Sequence, residues 1–362
     1  MATANISETP EQPGHRRTLR SGDDLAAAGL VPADAVGGID AVGARYSVAV
    51  SAPLAALIDR ADPDDPIARQ FVPSPAELVE TADELADPIG DAAHSPVRGL
   101  VHRYPDRVLL MPTMACPVYC RYCFRRDRVG RADDAPTDAD MERALAYIGD
   151  NAGIREVILT GGDPLSLSDR RLDALLARLD AIPHLIDIRL HTRAPVATPH
   201  RITAALVDAL QRSKPVWMAL HANHPRELTD DVAAACDRLV RGGIPLLSQT
   251  VLLKGVNDDV ETLAALMRRL IAIKVKPYYL HHPDRARGTA RFRLTLEEGR
   301  ALVAALRGRV SGLCQPTYVV DIPGGHGKAP AAAQPAREDS AGVWSIEDYR
   351  GVAHAYREAV PD

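Results

Sequence analysis

Lysine is scarce in this 362-residue chain: only Lys214, Lys254, Lys274, Lys276 and Lys328 occur among 43 basic residues. Chemistry that needs a primary amine therefore has few candidates. No basic run with interleaved aromatics appears, and the formal net charge is −5, so a nucleic-acid surface is not expected. No apolar run approaches membrane-spanning length, and the polar, proline-containing N-terminus lacks a signal-peptide core, so no membrane partner is expected either. Cysteine is limited to five residues, three of them clustered, which fits a reducing cytoplasm better than a disulfide framework. The chain as a whole, 46% hydrophobic and 25% charged, is ordinary for a soluble globular protein with one large α/β barrel plus appendages, or with two domains.

The clustered cysteines lie in MPTMACPVYCRYCFRRDR, residues 111–128, with three residues between Cys116 and Cys120 and two between Cys120 and Cys123. The apolar run Val108-Leu109-Leu110-Met111 reads as a buried strand. Pro112 and Pro117 then break regular structure, which puts the thiols on a loop at the strand's C-terminal end. A tetrahedral zinc site wants four protein ligands, and Cys236 and Cys314 lie far off in the chain. A [4Fe–4S] cube is normally held by four thiolates; three would leave one iron open to an outside ligand. A zinc knuckle and three unrelated buried thiols are the competing readings. The spacing, with Tyr122 just before the last cysteine, resembles the signature of the radical S-adenosylmethionine (SAM) family.

From residue 107 strand and helix patterns alternate. Strands are predicted at 107–111, 156–160, 186–190, 216–220, 244–252, 276–280 and 317–321, separated by helical patterns such as DRRLDALLARLD. This alternation indicates βαβ units and a parallel sheet. The fold class is α/β, a partial (β/α)6-type barrel, with an open doubly wound sheet as the runner-up; both put the site at the C-terminal strand ends. The expected organisation is a disordered tail over 1–20, a helical N-terminal extension over 21–98, the barrel over 99–328, and a linker with a C-terminal hairpin over 329–362.

Polar residues stand at those strand ends. Gly161-Gly162-Asp163-Pro164 follows the second strand, where paired glycines let a ligand approach the backbone closely. His221, Asn223 and His224 follow the fourth and Gln249 the fifth. His281, His282 and Asp284 follow the sixth, and Asp321 ends the seventh. Pro323-Gly324-Gly325-His326-Gly327-Lys328 presents an amine at the end of a glycine turn, suited to an imine with an aldehyde cofactor. No following Ser/Thr and helix complete a P-loop. Arg103-Tyr104-Pro105-Asp106-Arg107 precedes the cysteines and offers two guanidiniums, the preferred binders of a phosphate.

Together these motifs resemble the lysine 2,3-aminomutase family, radical enzymes that also use pyridoxal 5′-phosphate (PLP). The resemblance runs from about Tyr46 to Lys328 and rests on HRYPDRVLL, CxxxCRYCFRR, GGDPL, ALHANHP, QTVLLKGVND, PYYLHHPD, ARFR and VVDIPGGHGK. It implies that Cys116, Cys120 and Cys123 ligate the cluster and that Lys328 carries PLP. It places Arg103, Tyr104 and Arg107 around the PLP phosphate, and Gly161, Gly162 and Asp163 in the motif whose backbone holds the methionine amine of SAM. Tyr122, His221 and Gln249 belong to the cofactor surroundings, the last two at the adenosyl portion. Arg125 corresponds to the clamp on the substrate carboxylate, and Asp284 and Asp321 to the aspartates that receive the side-chain ammonium. A cationic amino acid is therefore implied, lysine first, although arginine or ornithine would satisfy the same charges.

The resemblance further implies a flavodoxin- or ferredoxin-type reductant, a homo-oligomer and a cytoplasmic enzyme. Departures from the family pattern are also visible. Nothing beyond Cys314 supplies the extra cysteines of a structural zinc site, Asp259 stands at the position of another, and no zinc is expected. His326 replaces a glycine in the turn, either tuning the PLP site or filling space. A shorter branch that modifies an elongation factor resembles the chain in its core but less in the C-terminal motif. A non-catalytic iron–sulfur or zinc-binding module is the alternative from a different class.

Overall fold

The strands form where apolar residues follow one another without alternation. Val157, Ile158 and Leu159 are all buried, as in a parallel strand covered on both faces. In the computed structural model, which describes residues 17–348 and 350–358, such runs build one nine-stranded sheet. Its first strand, β1 (Leu100–Tyr104), pairs antiparallel with β2 (Arg107–Thr113). Then β3 (Glu156–Gly161), β4 (Asp187–Thr192), β5 (Val216–His221), β6 (Leu246–Val251), β7 (Lys276–His281) and β8 (Thr317–Ile322) add in parallel, in chain order. Finally β9 (Gly327–Pro330) folds back antiparallel on β8.

The intervening helices pack their leucine faces onto the sheet, as Leu172, Leu175, Leu176 and Leu179 of Asp169–Asp180 illustrate. Side-chain caps fix where these helices begin: Thr137, Ser168, Thr203, Thr229, Asp259 and Thr295 each accept a first-turn N–H. Asp259 is thus a helix cap. The sheet curls until its edges approach, and the Lys328 N–H on β9 donates to the Tyr104 hydroxyl on β1 at 2.7 Å. The result is a partial barrel.

Short helices (Gly22–Ala27, Val36–Arg45, Ala52–Ala56, Pro66–Phe71) make up much of the N-terminal segment. Of the tail expected to be disordered, residues 1–16 lie outside the described residues, while Leu19 bridges to Val50. At the other end β11 (Val343–Glu347) and β12 (Ala353–Arg357) form the expected hairpin. The segment read as a linker holds the last two residues of β9, Ala329 and Pro330, and all of β10 (Ala336–Ser340), which pairs with β11. The residues of β10, AREDS, are polar and largely exposed; a charged edge strand carries no apolar alternation to betray it. Among the described residues no helix is long and apolar enough to cross a membrane.

Candidate functional site

A cavity of about 560 Å³ opens at the C-terminal ends of the parallel strands, within the size range of small-molecule sites. Every residue to which the family resemblance assigns a role lines it: Cys116, Cys120, Cys123, Tyr122, Arg125, Arg103, Tyr104, Arg107, Gly161, Gly162, Asp163, His221, Gln249, Asp284, Asp321 and Lys328. Of the other strand-end residues His281 lines it too, whereas Asn223, His224 and His282 stand outside the lining. His326 does not line it either; it is exposed on its turn.

One wall is the cysteine loop. The N-terminal segment anchors it, through Tyr119 N–H to Ala49 carbonyl (3.1 Å) and Arg121 N–H to Gln70 carbonyl (2.8 Å). Arg121 is buried and grips Glu77 with Nη2 at 2.6 Å, and Arg126 and Arg291 also engage this carboxylate. Behind the loop, Tyr122 is held by Asn223 Nδ2 at 2.7 Å and by Arg193, which pairs with Glu227 and approaches Cys120 Sγ at 3.5 Å. His221 Nε2 lies 3.4 Å from the same hydroxyl.

The two glycines of GGD are needed for close approach. Gly161 has φ +94°, and a Cβ on Gly162 would lie 2.4 Å from the Ala115 carbonyl oxygen on the loop. The Asp163 carboxylate, in contrast, is spent on the fold: it accepts from Thr192 Oγ1 (2.7 Å) and from the N–H groups of Leu165, Arg193 and Ala194 (2.8–3.0 Å).

All three thiols are free. Burial pushes Cys116 well above the usual thiol range and Cys123 to about 11. Such thiols gain charge most readily by binding a cationic centre. Among the described residues no three His, Cys, Asp or Glu side chains are gathered so as to hold a single ion. Cys116, Cys120 and Cys123 line the same cavity, and thiolates are the donor set of iron–sulfur centres.

The facing wall carries the amine. Lys328 and Asp321 are cross-strand partners on β9 and β8, and Lys328 Nζ donates to both Asp321 oxygens at 2.8 and 2.9 Å. Three glycines with positive φ, Gly324, Gly325 and Gly327, let the intervening turn reverse. Burial works to raise Asp321, but the His281 Nδ1 contact at 3.6 Å and the Lys328 charge hold it well below the usual carboxylate range. Asp284 goes the other way. Burial, and then the charge of Asp321, push it up to about 7.

Between the walls stand the arginines. Arg125 donates from Nε to Asp91 at 2.7 Å and Arg103 from Nη2 to the other Asp91 oxygen at 3.0 Å. Arg125 Nη2 and Arg103 Nε are buried without a protein partner among the described residues. Arg107 lies 3.8 Å from the Tyr104 ring centroid.

Several residues here escape sequence reasoning. Asp91, Gln70 and Glu227 reach the site from segments with no motif of their own. Arg193 and His191 do sit at the end of β4, where the strand-end rule could have found them. His191 lines the cavity with its buried Nε2 unpartnered, and burial among cations keeps it neutral.

Residues 110–267 match the Radical SAM superfamily. The chain is 42% identical to the L-lysine 2,3-aminomutase of Clostridium subterminale over 84% of its own length and 73% of the relative's. It is 37% identical to the L-lysine 2,3-aminomutase of Bacillus subtilis over 94% of its length and 72% of that protein. A glutamate 2,3-aminomutase of Clostridioides difficile is 38% identical over 82% of this chain and 70% of the relative.

Proposed function

This chain belongs to the 2,3-aminomutase family of the radical SAM superfamily, and on that premise we propose that it interconverts L-α-lysine and β-lysine. It is an isomerase that moves an amino group between adjacent carbons. Its cofactors are a [4Fe–4S] cluster, SAM and PLP. Bound in the cavity, the cluster and SAM supply a hydrogen-abstracting radical, and PLP supplies the π system through which the amino group migrates.

The chain's own residues bind and orient. Cys116, Cys120 and Cys123 hold the cluster, with the backbone around Gly161 and Gly162, and with His221 and Gln249, against SAM. Asp163 supports that wall by tying the end of β3 to the start of the segment after β4, and Tyr122 braces the loop. Lys328 supplies the amine for PLP, with Arg103, Tyr104 and Arg107 at its phosphate. Arg125 directs its unpartnered Nη2 to the substrate carboxylate. Asp284 and Asp321 receive the ammonium at the other end. Fixing both ends of a flexible amino acid is where most of the protein's contribution lies, and walls that exclude water keep a radical from stray donors.

Relatives of comparable identity include a glutamate enzyme, so similarity alone does not choose the substrate. The observation that carries lysine is the Lys328–Asp321 pair: Asp321 already grips a primary ammonium with both oxygens, and Asp284 lines the same cavity. A glutamate side chain would meet two carboxylates there. The reading extends to a flavodoxin- or ferredoxin-type electron donor, a homo-oligomer and a cytoplasmic setting.

The test is anaerobic incubation of reconstituted protein with lysine, reductant, SAM and PLP. β-Lysine should form, glutamate should not react, and borohydride should leave a pyridoxyl group on Lys328. The Lys328→Ala variant should keep its iron and lose the pyridoxyl mark. Full iron and PLP without β-lysine would reject the reading.

A further inference from the structure

Asp91 is buried, 3% exposed, and belongs to no catalytic motif. Its two oxygens are divided between two arginines, Arg103 on β1 and Arg125 on the cysteine loop, at 3.0 and 2.7 Å. Burial opposes ionisation, but the charges of Arg125 and Arg103 hold the carboxyl below its usual range, so it is an anion at neutral pH. Both arginines line the cavity, and each keeps one buried nitrogen without a protein partner among the described residues. A guanidinium is a rigid fork, so fixing one edge aims the others.

The residue before Asp91 adds a third connection. Gly90 has φ +68°, and a Cβ there would lie 2.6 Å from Gly325 N and 2.7 Å from the Gly324 carbonyl carbon. The backbone at Gly90 is therefore pressed against the turn that presents Lys328. The dipeptide Gly90-Asp91 touches the turn bearing the amine, the arginine at the proposed phosphate position and the arginine at the proposed carboxylate position.

We propose that Asp91 is a positioning residue that couples the two anion sites, orienting Arg103 for the PLP phosphate and Arg125 for the substrate carboxylate through one bridging carboxylate. The inference rests on the reading of those arginines given above. Anion binding at one guanidinium is then felt at the other through the shared partner, and loss of the bridge weakens both sites together. A brace for the fold alone would not do this.

The test uses full-length protein carrying its iron–sulfur cluster, with Asp91→Asn, which keeps shape and removes charge, and Asp91→Glu, which keeps charge. PLP affinity is measured by absorbance titration of the PLP-free protein, independently of turnover, alongside KM and kcat for lysine. In Asp91→Asn the PLP dissociation constant and the lysine KM should both rise about 10- to 100-fold, as when a buried charged group loses a partner. The fall in kcat should be smaller and iron content should hold, while the melting temperature falls in Asp91→Asn, as loss of a buried charge requires, and recovers in Asp91→Glu. Asp91→Glu should recover part of both affinities.

Unchanged or tighter binding of PLP and lysine in Asp91→Asn would overturn the proposal. So would loss of iron together with a lowered melting temperature in both variants, which would assign Asp91 to the fold. Weakened PLP binding in a protein whose parent does not turn over lysine would support the cofactor half of the bridge and sink the lysine reading instead.

Discussion

Two carboxylates, Glu77 fully buried and Asp284 half-buried on the cavity wall, show how the same group serves opposite ends. Glu77 is 0% exposed and surrounded: Arg121, Arg126 and Arg291 all reach it, and it also accepts the Ser74 N–H at 2.9 Å. Burial raises its pKa, yet the three guanidiniums, Arg121 first, pull it below the usual range. Asp284 has no hydrogen-bond or ion-pair partner among the described residues, and burial beside Asp321 leaves it near 7. A carboxylate whose lone pairs are all taken can only hold the fold together. One left wanting a cation, on the wall of a cavity, is available to a ligand.

The largest expected effect erases the closed cluster. Glu77→Ala strands two buried guanidiniums, Arg121 and Arg126, and the half-buried Arg291 around an empty site, and breaking a buried ion pair from one side costs about 3–5 kcal/mol. Chemical denaturation should show that loss, with iron lost as the cysteine loop loosens.

An intermediate effect tests the open carboxylate. Asp284→Asn should raise the lysine KM by about 10- to 100-fold without destabilising the protein. The sign follows from the raised pKa. The folded protein holds this proton more tightly than the unfolded chain does, so the stability contributed by the neutral form is present below the ordinary value of 3.8 and lost as pH rises through about 7. Ammonium binding runs the other way and strengthens as Asp284 ionises beside Asp321, Lys328, Arg125 and Asp91. The parent's lysine KM should therefore fall as pH rises through about 7, and Asp284→Asn should flatten that profile while being at least as stable as the parent at higher pH. A KM indifferent to pH in the parent would break the contrast.

The smallest effect grades the closed cluster. Arg291 contacts Glu77 at 3.2 Å and is 20% exposed. Burial, ahead of its charged neighbours, lowers its pKa to about 10. With Arg121 and Arg126 still in place, Arg291→Met should cost only about 1 kcal/mol and leave PLP binding intact. A loss equal to that of Glu77→Ala would show that the three arginines act as one unit.

What could be read from the sequence divides along the same line. Strands such as Val157–Leu159 announce themselves because burial on both faces demands unbroken apolar runs. The cavity residues Cys116, Lys328, Asp284 and Asp321 stood out because their types are scarce or misplaced unless they face a site, and strand-end logic put them on one face. Partners made by distant segments were not legible. Asp91 finds Arg103 and Arg125, Gln70 finds Asn223 and Arg193, and Glu77 finds Arg291 more than two hundred positions away. Nothing local in ADPIGDAAH or SPAEL encodes these meetings. Strands β9 and β10 were missed for a related reason: GKAP and AREDS have no strand pattern of their own and extend only against a neighbour already in place.

The Tyr104–Lys328 hydrogen bond joins positions 224 residues apart, and the turn it anchors rests on Gly90. The cavity thus acquires its last wall only when nearly the whole barrel has been synthesised. Until that moment Cys116, Cys120 and Cys123 belong to an unfinished sheet whose far edge is missing. Such late closure makes folding slow, because the wall that faces the three thiols depends on a contact between the two ends of the barrel segment.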